Sequence, residues 1–219
     1  MKQTKNEGVF QRGDKLYTEN PESCRGIRVY NEKLVHHSGR EYRSWNPYRS
    51  KLAAVILNGL NINIKSNSKI LYLGAATGTT VSHISDIVKK GLIYAVENSP
   101  ISMKNLIQVS EKRQNIIPIL ADANHPDRYE TYISDVDIVY QDISQRNQAE
   151  IFIKNTKRYL KDKGQGILMV KARSIDVSLK PEKAYEKISK ELKENQIKTI
   201  DIKNLSPYQK DHAAISISL

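Results

Sequence analysis

Cysteine is nearly missing from this 219-residue chain: Cys24 is the single one. No intramolecular disulfide can form, and no cysteine cluster is available for a structural zinc, so no metal site is expected. A reducing, intracellular and cytoplasmic setting is the expectation. Long apolar runs are missing too. No stretch approaches the length needed to span a bilayer, and the opening "MKQTKNEGVFQRGDKLY" has no apolar segment of a secretory signal. No membrane partner is therefore expected, and internal repeats and low-complexity tracts are likewise absent. What remains is a chain with 39% hydrophobic residues in alternating patterns, long enough for one good-sized core plus a small appended module.

Acidic residues are in deficit. Lysine and arginine number 35 against 24 acids, a formal charge of +11 and a sequence pI near 9.5. Such a balance suits a polyanion partner through phosphate neutralisation, although solubility alone accounts for it equally well. Basic density is highest at the start, where residues 1–51 carry 11 basic and 6 acidic side chains.

Residues 1–47 read as a small antiparallel β module, with "GVFQ", "KLYTEN", "IRVYNEKLV" and "REYRSW" punctuated by glycine and proline. Residues 48–219 form a second unit. "NPYRSKLAAVILNGL" reads as a helix with Asn46 and Pro47 as start signals and Gly59 as the stop. From Ser68 onward, strands are expected at "KILYLG", "LIYAVE", "NIIPIL", "VDIVYQD", "GQGILMVKA", "IKTIDIKNL" and "HAAISISL", with helices over 79–89, 100–113, 146–160 and 181–195. Alternation of this kind predicts an α/β fold with a mostly parallel seven-stranded sheet covered on both faces. The last two strands leave no room for a crossover helix and should be antiparallel neighbours.

In such a sheet, ligands sit beyond the carboxyl ends of the strands. The turn "GAATGTT" occupies one of those ends. A phosphate-binding P-loop needs Gly-Lys-Ser/Thr, whereas Gly78 is followed by Thr79 and Thr80; a dinucleotide fingerprint needs glycine where the chain has Ala76. The missing glycine counts against pyrophosphate, and the ligand that suits the turn better carries adenosine and a small carboxylate, as S-adenosylmethionine does. Its carboxylate would meet the helix start at Thr79 and Thr80, beyond Gly74 and Ala75. Glu97 closes the next strand, where a carboxylate can accept both ribose hydroxyls. Asp122 would accept from the adenine amino group, with Ala123 flat against the ring. As helix caps, Thr79 and Asp122 need no ligand at all.

Two further strand ends carry reactive groups. Asp142 follows "VDIVYQ", and Lys171 closes "GILMV". A lysine at such an end is either a snorkelling terminus or a group held at a reacting centre. Adjacent strands would bring Asp142 and Lys171 within pairing distance. Methyl transfer to an alcohol needs a group that takes the hydroxyl proton while the oxygen lines up behind the methyl carbon.

The stretches "EYRSWNPYRSKLAAVIL", "KILYLGAATGTTVSHISDIV", "GLIYAVENS", "NIIPILADANHP", "VDIVYQDISQ", "VKARSID" and "YQKDHA" together resemble fibrillarin and the archaeal fibrillarin-like RNA 2′-O-methyltransferases, from about Gly8 to the end. The resemblance implies a Rossmann-like S-adenosylmethionine-dependent methyltransferase fold and a quartet of Lys51, Asp142, Lys171 and His212. Lys171 would take the 2′-hydroxyl proton, helped by Asp142, while Lys51 and His212 hold the ribose. Cofactor positions carry over to Thr79, Thr80, Glu97, Asn98, Asp122, Ala123, Asp142, Ile143, Ser144 and Gln145. Thr77 stands where the family has serine, and Asn98 where it has an aromatic residue. The latter leaves a ribonucleoprotein component without chemistry as the competing reading. The implied partners are a Nop-type scaffold protein, a kink-turn-binding protein of ribosomal type, a box C/D guide RNA, and target rRNA or tRNA. Consistent with guide-directed targeting, no RNP-type aromatic motif or KH loop is present.

Overall fold

The computed structural model describes residues 1–219. Its amino-terminal part runs through β1 (Lys2–Gln3), β2 (Val9–Arg12), β3 (Lys15–Glu19), β4 (Leu34–His37) and β5 (Arg40–Trp45). These pair antiparallel in the order β1-β2-β3-β5-β4. After α1 (Lys51–Leu57), strands and helices alternate: β6 (Lys69–Leu73), α2 (Thr79–Ile87), β7 (Leu92–Glu97), α3 (Pro100–Lys112), β8 (Ile116–Leu120), β9 (Val136–Gln141), α4 (Gln148–Tyr159) and β10 (Leu160–Lys171). The short α5 (Ala172–Ile175), α6 (Pro181–Glu194), β11 (Lys198–Asn204) and β12 (His212–Ser218) complete the chain.

The second sheet has seven strands in the order β11-β12-β10-β9-β6-β7-β8. Only β12 runs against the others, antiparallel to both β10 and β11. The central strands are continuous apolar runs because both faces are covered. On one face, Ala53 and Val55 of α1, Val81 and Ile84 of α2 and Leu106 of α3 share a core with Leu16 and Trp45 of the first sheet. On the other, Ile151 and Phe152 of α4 join Ala184, Ile188 and Leu192 of α6, a spacing that puts one apolar stripe on the helix.

Two expectations from the sequence are corrected. The helix after Trp45 begins at Lys51, with Ser50 as its N-cap. Asn46 instead turns its Oδ1 to the Tyr48 N–H at 2.9 Å, a local bond that competes with helix formation. Within "IRVYNEKLV" only Leu34 and Val35 enter a strand, the start of β4. Val29 and Tyr30 donate their N–H groups to the Glu32 carboxylate at 2.8–3.1 Å, which bends the segment out of any ladder.

That bend serves a buried charge cluster between the two sheets. Fully buried Arg43 donates to Glu32 at 2.7 Å, to Asp86 at 2.7 Å and to Ser82 at 2.9 Å. Arg113 reaches the other Asp86 oxygen at 3.2 Å. The Thr18 hydroxyl gives its only proton to Asp86 at 2.7 Å, so the contact of 2.7 Å between Thr18 and His83 is donated by Nδ1 of the imidazole. The Tyr30 hydroxyl faces both His83 Nε2 at 2.6 Å and the Ser44 carbonyl at 3.1 Å; with the imidazole neutral its proton goes to the nearer nitrogen, and the imidazole ring stacks on Trp45. Burial, reinforced by the Arg43 and Arg113 guanidiniums, holds the His83 pKa well below the ordinary imidazole value. With two guanidiniums facing two carboxylates, a neutral imidazole balances the cluster.

A histidine kept neutral by folding favours the unfolded state once protons are plentiful. Its stabilising contribution is complete above about pH 6.5 and shrinks as the pH falls, by up to about 1.4 kcal/mol per pH unit for one proton. Urea unfolding at pH 7.5 and pH 5.5 should show this loss, and His83→Gln should flatten the dependence.

Candidate active site

Parallel strands deliver their carboxyl ends to one edge of the sheet, here called the crest. The turn after β6 is shaped by Gly74 at φ +81°, Ala76 at φ +47° and Gly78 at φ +88°. A Cβ on Gly74 would lie 2.6 Å from the Asp142 carbonyl oxygen and 2.9 Å from Ile143, so only glycine lets the loops after β6 and β9 approach this closely. The first helical bond of α2 is donated by Ser82 to the Gly78 carbonyl at 2.8 Å, leaving the N–H groups of Thr79, Thr80 and Val81 ahead of it. The Thr80 side chain is not part of this opening. It donates to Ser50 Oγ at 3.0 Å and ties the start of α2 to the cap of α1.

Glu97, the last residue of β7, is buried. One of its carboxylate oxygens accepts the Ala76 N–H at 2.8 Å and the other the Ser99 N–H at 2.8 Å. Both oxygens keep a second lone pair. Asp122 beyond β8 accepts the Asn124 N–H and the Asn124 amide, each at 2.9 Å and each on Oδ1, which leaves Oδ2 free. The Asn124 N–H holds the Asp122 carboxyl below the usual carboxylate range. Glu97, Asp122, Ala123, Ile143 and Gln145 line one narrow cleft, with Asn98 at its rim. Ala75 is buried beneath the turn, and Ser144 is exposed on the loop after β9.

The four quartet residues converge beside this cleft. Lys51 Nζ lies 2.8 Å from Asp142 Oδ1, both side chains about one-fifth exposed. A lysine in the first turn of α1 opposes the helix dipole, and the aspartate opposite offsets that. Antiparallel pairing of β10 with β12 sets Lys171 against His212. Because a carbonyl can only accept, the 2.6 Å contact between His212 Nδ1 and the Lys210 oxygen fixes the proton on Nδ1 and frees Nε2 as an acceptor. Burial, together with the nearby Lys51 and Lys171 ammonium groups, pulls the His212 pKa below the ordinary imidazole value, while Asp142 acts the other way.

One expected pairing does not form. Asp142 binds Lys51, and Lys171 makes no ion pair. The register explains this: Gln141 pairs with Leu168, so Asp142 stands one residue past the ladder and Lys171 three. That offset is about 7 Å along the strand direction. Ser50 and Asn124 went unnoticed in the sequence. Asn124 accepts from Asn147 at 2.8 Å and donates to Gln145 at 3.2 Å, tying the loops after β8 and β9 together.

The fibrillarin family model matches residues 1–219. The chain belongs to the fibrillarin family. It is 45% identical over 212 residues to the fibrillarin-like rRNA/tRNA 2′-O-methyltransferase of Methanothermobacter thermautotrophicus, a match covering 96% of this chain and 94% of that one. Among solved structures, fibrillarin from Aeropyrum pernix in complex with natively bound S-adenosyl-L-methionine superposes with a TM-score of 0.89 at 40% identity, covering 99% of this chain and 96% of that chain. A fibrillarin/Nop5p complex gives a TM-score of 0.88 at 42% identity, with 97% of each chain covered. Family membership agrees with the seven-stranded architecture and its single reversed strand. No helix of the chain is long and apolar enough to cross a membrane.

Gly74→Ala should force the loops after β6 and β9 apart. We expect a loss of about 1–3 kcal/mol of stability, measured by urea unfolding.

Proposed function

We propose that this chain transfers a methyl group from S-adenosylmethionine to a ribose 2′-hydroxyl of rRNA or tRNA, as the catalytic subunit of a guide-RNA particle. The observation that carries the reading is the convergence of Lys51, Asp142, Lys171 and His212 on the crest, next to the cleft that Glu97 and Asp122 line. The cleft suits the cofactor's chemistry. Glu97 offers two oriented acceptors for ribose hydroxyls, Asp122 Oδ2 accepts from an amino group, and Ala123 and Ile143 give a flat apolar wall. The α2 N-terminus receives a carboxylate. When bound, S-adenosylmethionine supplies an activated methyl carbon on a sulfonium that leaves as a neutral thioether.

The chain's own residues then supply alignment and a proton acceptor. Lys171 enters the step as the free amine, having given its own proton to solvent; it takes the proton from the 2′-hydroxyl, and the ammonium that re-forms carries the positive charge the sulfonium gives up. His212 offers Nε2 to a ribose hydroxyl. Lys51, held on Asp142 by one N–H, turns its remaining donors to the sugar. Asp142 acts through Lys51, and stabilises the cationic crest as Lys171 becomes charged. The N–H groups of Thr79 and Thr80, with Asn98, Ser144 and Gln145, complete the cofactor's surroundings.

The partners we propose are a Nop-type scaffold protein, a kink-turn-binding protein of ribosomal type, a box C/D guide RNA and its target. The solved complex of a relative with Nop5p and the formal charge of +11 support this assembly. The test is transfer of labelled methyl from S-adenosylmethionine to a guide-matched RNA, with and without the partner proteins, followed by ribose mapping of the product. Lys171→Ala should leave folding and cofactor affinity intact and slow transfer about 10²–10⁴-fold. Near-normal turnover by that variant would remove Lys171 from the base role.

A further inference from the structure

Lys171 lies where the sheet has run out on one side. The β9–β10 ladder ends at Gln141 opposite Leu168, so no strand faces the main chain of Lys171 toward β9. In extended backbone the N–H and C=O of one residue point to the same side. Both therefore need partners at a partly buried position, or their desolvation goes uncompensated.

The side chain of Gln148 fills that place. It is fully buried at the start of α4. Its Oε1 accepts the Lys171 N–H at 3.1 Å, and its Nε2 donates to the Lys171 carbonyl at 3.4 Å. A primary amide thus stands in for one residue of a neighbouring strand. The same Nε2 donates to the Gln145 carbonyl at 3.1 Å, and Gln141 Nε2 anchors the Gln148 carbonyl at 2.6 Å. One rigid group holds the backbone of Lys171 to the loop that carries Asp142 and Gln145.

We infer that Gln148 is a positioning residue for methyl transfer: it sets the distance between Lys171 and the cofactor-side loop after β9. This rests on the assignment of Lys171 as the proton acceptor. Small displacements of an aligned group cost rate out of proportion to their size, so the effect belongs in turnover and not in cofactor affinity. An apolar side chain of similar length removes the bracket and keeps the volume.

The test is a double-mutant cycle in the assembled particle, with labelled S-adenosylmethionine and a guide-matched RNA. Gln148→Met should lower kcat about 10- to 100-fold while the KM for S-adenosylmethionine moves less than about threefold. In a Lys171→Ala background, the same substitution should cost less than about twofold, because the group it positions is gone. Equal losses in both backgrounds would overturn the inference and leave Gln148 with a structural role only. If Lys171→Ala alone turns over near normally, the base assignment itself falls, an outcome the cycle separates from the first. Should Gln148→Met not fold, hydrogen exchange on the unaltered protein decides: the Lys171 amide should exchange far more slowly than exposed amides, and unprotected exchange there would refute the bracket.

Discussion

The direction of the strands is the constraint from which the rest follows. Parallel strands end together, so β6, β7, β8, β9 and β10 bring Gly74, Glu97, Asp122, Asp142 and Lys171 to one edge although almost a hundred residues separate the first from the last. The reversed β12 obeys the same rule in mirror form, because its first residue, His212, arrives where the others finish. Lys51 alone comes from outside the sheet, on the opening turn of α1. A charge held there against the helix dipole is a local conflict, and conflicts of this kind concentrate where chemistry is done.

The strands of the second sheet were legible because burial on both faces leaves unbroken apolar runs, and the reversed pair because the connection after β11 is too short for a crossover. Gly74 and Glu97 were legible as well, each closing such a run. The hidden parts are those decided by distant partners. Nothing near Asp142 in the chain says that its cation stands 91 residues earlier, since helix placement selects the pair. The bend at Val29 and Tyr30 was hidden for a related reason: Glu32 looks like an exposed strand residue until Arg43 is known to lie buried beside it. Lys51 and His212 entered through family resemblance, because a helix lysine and a single histidine carry no periodic signal.

The cluster of Arg43, Arg113, Asp86 and Glu32 joins the first sheet to α2. Ionic groups this deep are a poor source of stability, since desolvation offsets much of their attraction, but removing one member strands another without a partner. What the cluster supplies is geometry. A rotated or shifted first sheet would separate Arg43 from Asp86 and Thr18 from His83 at once, so the start of α2, and with it the turn at Gly78, is held in one arrangement.

The position of β12 has a consequence for biosynthesis. It is synthesised after both of its neighbours, yet it belongs between β10 and β11 and not at a margin. Until residues 212–218 emerge, those two strands have no common neighbour, and the nascent polypeptide exposes their unpaired edges to chaperones or to other nascent chains. Maturation of the crest therefore waits on residues 212–218, and a nascent chain that stops short of His212 makes the parallel strands while lacking the imidazole that completes their edge.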